Sequence, residues 1–315
     1  MLFFSGSVKS QDNVTINGYV KDGDNGEELI GATVYIPALQ AGTVTNDYGF
    51  YALTVPRGTY EVQYSYIGYR QQNITLEFSK DIVSNTMLEM EAELMPEIIV
   101  EETPLDENVS GVQMSKNTIN INQVRKLPAL FGETDIIKNI QMMPGVISAG
   151  EGTSSFFVRG GSGDQNLILI DEAPVYDPSH LFGLFSVFNA DVIKDSELYR
   201  GGIPARFGGR LSSILDVRTK DGNNKGYDVT GGIGLLASRV AVEGPIVRDQ
   251  SSFIVSARRS YVDLFLRAAN EDNLIHFYDV NAKLNWKHNN NNRFFMAFYT
   301  GRDVFSFDDD FGFAW

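Results

Sequence analysis

Residues 278–287 read Tyr278-Asp279-Val280-Asn281-Ala282-Lys283-Leu284-Asn285-Trp286-Lys287. In an extended chain successive side chains point to opposite faces. Tyr278, Val280, Ala282, Leu284 and Trp286 then share one face, and Asp279, Asn281, Lys283, Asn285 and Lys287 share the other. Asn289 to Asn292 supply a polar turn into a second strand, Phe294–Arg302, and the stretches 229–235 and 252–261 repeat the alternation upstream. Strands with one apolar and one polar face, ending in Trp, Tyr or Phe, read as the wall of a transmembrane β-barrel, apolar side to lipid. A soluble antiparallel sheet with one wet face satisfies the same pattern. No run of about 18 apolar residues occurs, so no transmembrane helix is expected.

Working toward the amino terminus, residues 118–226 mix periods. Ile119–Lys126 and Glu133–Gln141 have helical apolar spacing, with Gly132 to Asp135 as a start and Met143-Pro144-Gly145 as a stop. Leu167-Ile168-Leu169-Ile170 is a continuous apolar run expected as a covered strand. Ser196–Arg200 and Ile214–Thr219 are further strands, separated by a glycine-rich turn at Pro204 to Arg210. Neither Gly160-Gly161-Ser162-Gly163 nor Gly201-Gly202 has the Lys-Ser/Thr and helix of a phosphate loop, so these glycines read as turns.

Residues 14–94 show short alternating strands at roughly ten-residue spacing. They run through Ile16 to Val20, Ala32 to Ile36, Tyr51 to Val55, Tyr60 to Tyr66 and Ile74 to Phe78, with turns at Asp22 to Gly26, Asn46 to Gly49 and Pro56 to Gly58. A small Ig-like β-sandwich is expected, with the Tyr60–Tyr66 aromatic face as core. Met1 to residue 13 reads as a partial signal peptide or an unstructured start, since Leu2 to Phe4 form an apolar stub without a basic flank.

The chain has 315 residues, with 26 Lys+Arg against 40 Asp+Glu for a net charge of −14, and no cysteine. The acidic balance argues against nucleic acid. Lack of cysteine removes disulfides, thiolate metal sites and thiol nucleophiles. Residues 1–104 hold 5 basic and 15 acidic side chains, a net of −10. Glu89, Glu91, Glu93, Glu97, Glu101 and Glu102 meet no cation there, which marks 95–117 as a solvated linker. Within it Pro96 and Pro104 bracket Ile98-Ile99-Val100, an extended peptide suited to strand addition onto a partner. His180, His276 and His288 are dispersed, and no nucleophile elbow occurs. Asp171-Glu172 and Asp308-Asp309-Asp310 read as solvated loops. No enzyme, cofactor or metal site is expected.

Two resemblances follow from motif order. The segments GYVKDGDNGEELIGATVYI and GTVTNDYGFYALTVPRGTYEVQYSYIGY, from Gly18 to Tyr69, resemble the carboxypeptidase-regulatory-like domain. LPALFGETDIIKNIQMMPGV (Leu127–Val146), FVRGG (Phe157–Gly161), LILIDEAPV (Leu167–Val175), ELYRGGIPARFGG (Glu197–Gly209) and ILDVRTKDG (Ile214–Gly222) resemble, in that order, the plug domain of TonB-dependent outer-membrane receptors. Glu172-Ala173 departs from that family, which more often has glycine before the proline. The fold expected is thus mainly β: a sandwich (14–94), a linker (95–117), an α+β plug (118–226) and the first strands of an incomplete barrel (227–315). A 22-stranded barrel needs about 220 residues in strands alone. The 89 residues from 227 to 315 suffice for four to six strands, so the chain is expected to be the amino-terminal part of a longer receptor.

The resemblance implies ligand import across the outer membrane, with sandwich and linker in the periplasm and lipid around the barrel. It places a TonB box at Glu97, Ile98, Ile99, Val100, Glu101 and Glu102, with TonB, the periplasmic energy-coupling protein, as partner. It gives Arg159, Gly160 and Gly161, with Arg206 and Arg210, a role in seating the plug against wall carboxylates. Loops 162–165 and 176–181 are expected to face ligand, through Asp164, Gln165, Tyr176, Asp177 and His180, with a small molecule, glycan or peptide as cargo. The competing reading is a secreted or surface-bound β-sandwich binding module without transport.

Overall fold

A computed structural model describes residues 13–90, 116–124, 132–150, 153–269, 273–289, 292–307 and 311–314. The chain divides into two compact units, Met1–Ile98 and Ile99–Trp315.

The first unit holds strands β1 (Asn13–Asp22), β2 (Thr33–Ile36), β3 (Ala41–Val44), β4 (Phe50–Pro56), β5 (Gly58–Ser65), β6 (Gln72–Phe78), β7 (Ile82–Val83) and β8 (Thr86–Leu88). One sheet runs β4-β1-β7 with β8 also on β1, and the other runs β3-β2-β5-β6. Alternation decides which face is covered. Val14, Ile16 and Val20 of β1 pack with Val34 and Ile36 of β2, Tyr51 and Val55 of β4, Val62 and Tyr64 of β5, and Phe78 of β6. The aromatic face of β5 is core at Val62 and Tyr64, with Tyr60 and Tyr66 packed at its margin. The buried phenols meet their polar needs: Tyr51 Oη and Tyr64 Oη are 2.9 Å apart, and Tyr51 also donates to the Ser84 carbonyl at 2.9 Å. Gly18 sits where a Cβ would lie 1.9 Å from the Ser84 carbonyl oxygen, so β1 and the chain before β8 approach as closely as glycine permits.

The second unit begins with β9 (Lys116–Asn120), α1 (Ile121–Val124), α2 (Ile136–Gln141), β10 (Val146–Ser148), β11 (Phe156–Val158), β12 (Asn166–Ile170), β13 (Ala173–Pro174), β14 (Ser179–His180), β15 (Phe185–Ser186), β16 (Ile193–Tyr199) and β17 (Ser213–Thr219). The apolar run of β12 lies between β13 and β17 in a five-stranded sheet ordered β13-β12-β17-β16-β9. Helix α2 starts where Asp135 caps it, the carboxylate accepting the Ile137 N–H at 2.8 Å. Ile136, Ile137 and Ile140 are buried against Leu198, Leu215 and Val217. The helix expected over Ile119–Lys126 is corrected: Ile119 belongs to β9, paired with Ser196, and the described helix is the single turn of α1. Ladder pairing along β16 outweighs the helical spacing of a short apolar pattern.

A six-stranded antiparallel sheet follows: β18 (Asp228–Ile233), β19 (Ala237–Val247), β20 (Ser251–Ser260), β21 (Leu274–Asn289), β22 (Asn292–Phe307) and β23 (Phe311–Ala314), in sequence order, with α3 (Val262–Ala268) between β20 and β21. Strands β21 and β22 have 16 residues each, longer than the roughly ten expected from a single alternating stretch. Their faces are reversed relative to the sandwich. Val240, Val242, Val255, Tyr278, Leu284, Trp286, Phe294, Met296 and Phe298 are exposed, while Arg258, Asp279, Asn281, Lys283 and Asp303 are buried. Among the described residues no helix is long and apolar enough to cross a membrane, which says nothing about crossing by strands.

Candidate functional site

The polar face of the long sheet is covered by the α/β region, and the contact between them is a seam of matched charges. Its lower end, near the β19–β20 turn, centres on Lys283. Its ammonium lies 3.0 Å from Asp171 Oδ1 and 3.2 Å from Asp221 Oδ1, and donates to the Thr219 carbonyl at 2.9 Å. Arg293 reaches the other oxygen of Asp221 at 2.6 Å. Burial opposes the charge on Asp221, but Lys283, Arg293 and Lys194 overcome it and hold its carboxyl well below the usual carboxylate range. Asp171 is thereby removed from the solvated loops. Its side chain is 5% exposed because β21 brings a lysine to it from 112 residues away, whereas neighbouring Glu172 stays exposed.

The middle of the seam belongs to two arginines of β19 and β20. Arg239 donates to Asp191 at 2.7 Å and to Glu133, at the start of α2, at 3.0 Å. Arg258 is fully enclosed: its Nε and Nη2 donate to Asp279 Oδ2 at 2.9 and 2.6 Å, and Nη2 also donates to the Ser186 carbonyl at 2.7 Å. A planar, permanently charged fork suits this seat, since it serves a carboxylate and a carbonyl at once. At the upper end His180, on β14, enters between Asp279 and Asp303. Apolar packing surrounds it, with Leu181 and Phe185 against Phe277 and Phe305.

The sense of the pairing is notable. Glu133, Asp171, Asp191 and Asp221 supply the α/β side, and Arg239, Arg258, Lys283 and Arg293 supply the sheet. The expected seating residues lie elsewhere. Arg159 is exposed, with φ of 49°, and its N–H donates to the Gly145 carbonyl at 3.0 Å. Gly160, with φ of 81°, is exposed beside it, and Gly161 packs against Ser212. Arg206 is exposed over the Phe207 ring at 4.7 Å, and exposed Arg210 donates to the Gly209 carbonyl at 3.1 Å. Register brings their segments together: Tyr199 pairs with Ile214 and Lys116, Asn166 with Ser213, and Ser212 Oγ donates to the Val158 carbonyl at 2.7 Å. The three arginines therefore share one end of the five-stranded sheet.

Of the residues expected to face ligand, Asp164 and Gln165 form a turn with Ser162, whose hydroxyl donates to Asp164 and whose N–H donates to Gln165 Oε1 at 3.3 Å. Tyr176 is 86% exposed. Asp177 is exposed and accepts the Ser179 N–H at 3.1 Å and its hydroxyl at 2.7 Å. His180 is buried in the seam, 3% exposed. Glu97, Ile98, Ile99, Val100, Glu101 and Glu102 lie outside the described residues, as do Asp308, Asp309 and Asp310. Among the described residues no cluster of His, Asp or Glu could hold a metal ion. The seam residues carried one sequence signal: charged side chains at the inward parity of otherwise apolar strands.

A β-sandwich followed by an α/β region whose carboxylates dock on the charged inner face of an apolar-out sheet defines a class. The CarboxypepD_reg-like domain family matches residues 16–100, and the TonB-dependent Receptor Plug Domain family matches residues 108–213. Residues 108–213 thus carry the plug domain of a TonB-dependent receptor, and the curated proteins this chain is similar to are TonB-dependent receptors. It is similar to TonB-dependent receptor P39 of Formosa agariphila, 26% identical over 235 residues that cover 70% of this chain and 21% of the relative. It is also similar to TonB-dependent receptor SusC of Bacteroides thetaiotaomicron, 26% identical over 228 residues covering 67% of this chain and 21% of the relative. The chain thus spans about a fifth of the length of these curated relatives. Among solved structures, the siderophore receptor PirA from Acinetobacter baumannii aligns over 63% of this chain and 33% of its own, with 19% identity and a TM-score of 0.46. The curated relatives are receptors, not enzymes.

Proposed function

We propose that the protein is an outer-membrane importer driven by TonB, in which the six-stranded sheet is part of the barrel wall and the α/β region is its plug. One observation supports this most: the wall buries its charges and exposes its apolar residues, which only a lipid-facing sheet with a filled interior makes favourable. In water the same sheet would expose Trp286, Phe294, Met296 and Phe298 for no return. In lipid the outer backbone edges of β18 and β23 must pair with further strands, so the sheet has to close. Outer-membrane barrels keep short turns on the periplasmic side and longer connections outside. The β19–β20 and β21–β22 connections are then periplasmic, and the longer one between β20 and β21, which carries α3, is extracellular.

In this reading the sandwich and the box at Glu97–Glu102 lie in the periplasm, and the box joins TonB by strand addition. Pulling on it displaces the plug from the seam and opens a path for a small molecule, glycan or peptide. The exposed Arg159, Arg206 and Arg210 are suited to carboxylates elsewhere on the closed wall. Tyr176 and Asp177, exposed on one loop, are candidates for ligand contact. The test is deletion of residues 95–102 in the full-length gene. Growth on the substrate that requires this gene should fall to the level of the whole-gene deletion while the protein remains in the outer membrane. Unchanged growth would reject TonB coupling through this box.

A further inference from the structure

His180 is the one imidazole in the seam, and the wall is shaped around it. Its Nδ1 lies 2.6 Å from Asp303 Oδ2, and its Nε2 lies 3.3 Å from Asp279 Oδ2 and 3.1 Å from Tyr299 Oη. The ring stacks on Phe277 with centroids 4.3 Å apart and planes 7° from parallel. The second oxygen of Asp303 accepts the Leu181 N–H at 2.8 Å, so this carboxylate holds both side chain and backbone of the loop. On β22 a Cβ at Gly301 would lie 2.9 Å from His180 Cε1, and the absence of a side chain there admits the ring. Leu181 and Phe182 follow with φ of 50° and 58°, a conformation that bulky residues adopt at a cost and keep where the surroundings enforce it.

We infer that His180 is a positioning residue for the plug, which fastens the loop around Ser179–Gly183 to two wall strands as an imidazolium and lets that loop loosen when the ring is neutral. The inference rests on the reading of the sheet as a barrel wall and adds a regulation to it. An imidazolium has two N–H donors and can serve Asp279 and Asp303 together. A neutral ring has one, and gives up a carboxylate. With Nδ1–H kept on Asp303, the bare Nε2 can accept from Tyr299, and Asp279 remains with Arg258. The loosened state is therefore satisfied in hydrogen bonds and weaker in charge.

The groups that face the ring are Arg258 from β20, Asp279 from β21, and Tyr299 and Asp303 from β22. Asp177 lies on its own loop, and Glu133 stands 3.8 Å beyond Arg258. Burial opposes protonation, and Arg258 does too. The hydrogen bonds to Asp279 and Asp303 outweigh them and hold His180 above its ordinary value. A raised histidine stabilises the fastened loop fully below its free value near 6.5, and that contribution disappears as pH rises through the raised value. Fastening is thus strong in mildly acidic medium and weak in alkaline medium.

Amide hydrogen exchange of residues 179–184, corrected for intrinsic rates and followed from pH 6 to 9 on the full-length protein in detergent, tests this. Protection in the native sequence should fall about tenfold for each pH unit by which the group lies above its free value. H180Q, which donates without carrying charge, should flatten the profile. G301A should lower protection at every pH by pushing the ring out. Amides of β16 and β17 are the folding control. Should H180Q lose that control, D303N, which keeps the imidazole and removes one of its two carboxylate partners, should move the fall in protection to lower pH. A flat native profile, a native-like slope in H180Q, or a D303N profile that superimposes on the native one overturns the inference. No ligand or uptake enters this measurement, so it fails or stands separately from the import assay.

Discussion

Strand β1 of the sandwich and strand β21 of the wall carry the same two-residue alternation and bury opposite halves of it. In β1 the covered residues are Val14, Ile16 and Val20, and the other row, with Thr15, Asn17 and Lys21, is half-buried. In β21 the covered residues are Asp279, Asn281 and Lys283, while Tyr278, Leu284 and Trp286 stand outside. A two-residue period states that a strand has two chemically different faces, and the medium decides which is inside. The sandwich is held by apolar burial with a few phenol hydrogen bonds at its heart. The wall and plug are held by ion pairs whose desolvation is repaid only while every partner is present. One region tolerates loss of a contact by relaxing around a cavity. The other leaves a bare buried charge.

The largest effect should therefore come from the seam. Arg258→Ala strips Asp279 of two hydrogen bonds and the Ser186 carbonyl of its donor. A cost of about 3–5 kcal/mol in plug docking is expected, read as lost exchange protection in β14, β15 and α2 with β18–β22 intact. Protection equal to the native protein would mean the seam is ornamental and the two regions are held alike. Next is the outer face. Val255→Lys, on the exposed side of β20, should cost about 2–4 kcal/mol if that side meets hydrocarbon near mid-depth, measured by refolding into bilayers. A negligible cost would place that face in water and break the contrast at its root.

A carboxylate in the plug sheet should act with the opposite sign. Asp195, on β16, is pushed up to about 6 by burial, with Glu197 and Asp216 adding to the rise and Arg218 and Lys194 resisting it. Neither of its oxygens has a hydrogen-bond partner. A raised carboxyl favours the folded plug when protonated and penalises it as pH climbs from about 4 through 6. Asp195→Asn should remove that slope and stabilise the plug by about 2–3 kcal/mol at pH 8, seen by urea titration across pH.

Much of this contrast was legible in the residues, and the missing part has one cause. The alternation at 278–287 separated the two faces of β21 correctly, and the covered run at Leu167–Ile170 is a central strand of the plug sheet. The motifs FVRGG and ELYRGG pointed to the plug-domain family that matches residues 108–213. What the sequence could not disclose was pairing across more than a hundred residues. His180 finds Asp303 at a separation of 123, and Lys283 finds Asp171 at 112. Each looked dispersed because local spacing carries no information about a partner that strand register supplies. Asp171 was therefore read as a loop residue, and Lys283 only as one member of the polar face of its strand. The helix expected over Ile119–Lys126 starts two residues later than expected for a related reason, since the ladder to β16 claims Ile119 and Asn120.

The smallest effects sharpen the comparison because they fall in the sandwich, whose core is apolar and whose ion pairs, such as Lys21–Glu28 at 3.2 Å, lie outside it. Tyr64→Phe removes the hydroxyl that meets Tyr51 Oη and Ser84 Oγ. The cost should be about 0.5–1.5 kcal/mol, the net worth of a neutral buried hydrogen bond. Val83→Lys is the paired counterpart of Val255→Lys. Val83 is 72% exposed on β7 and Val255 is 42% exposed on β20, so exposure alone predicts that the sandwich site is the more tolerant by a modest margin. If the medium is what differs, the margin is far larger: within about 0.5 kcal/mol of neutral at Val83, against several times that at Val255. Equal costs at the two positions would mean that both faces see water, and the reversed burial of β21 would then need another explanation.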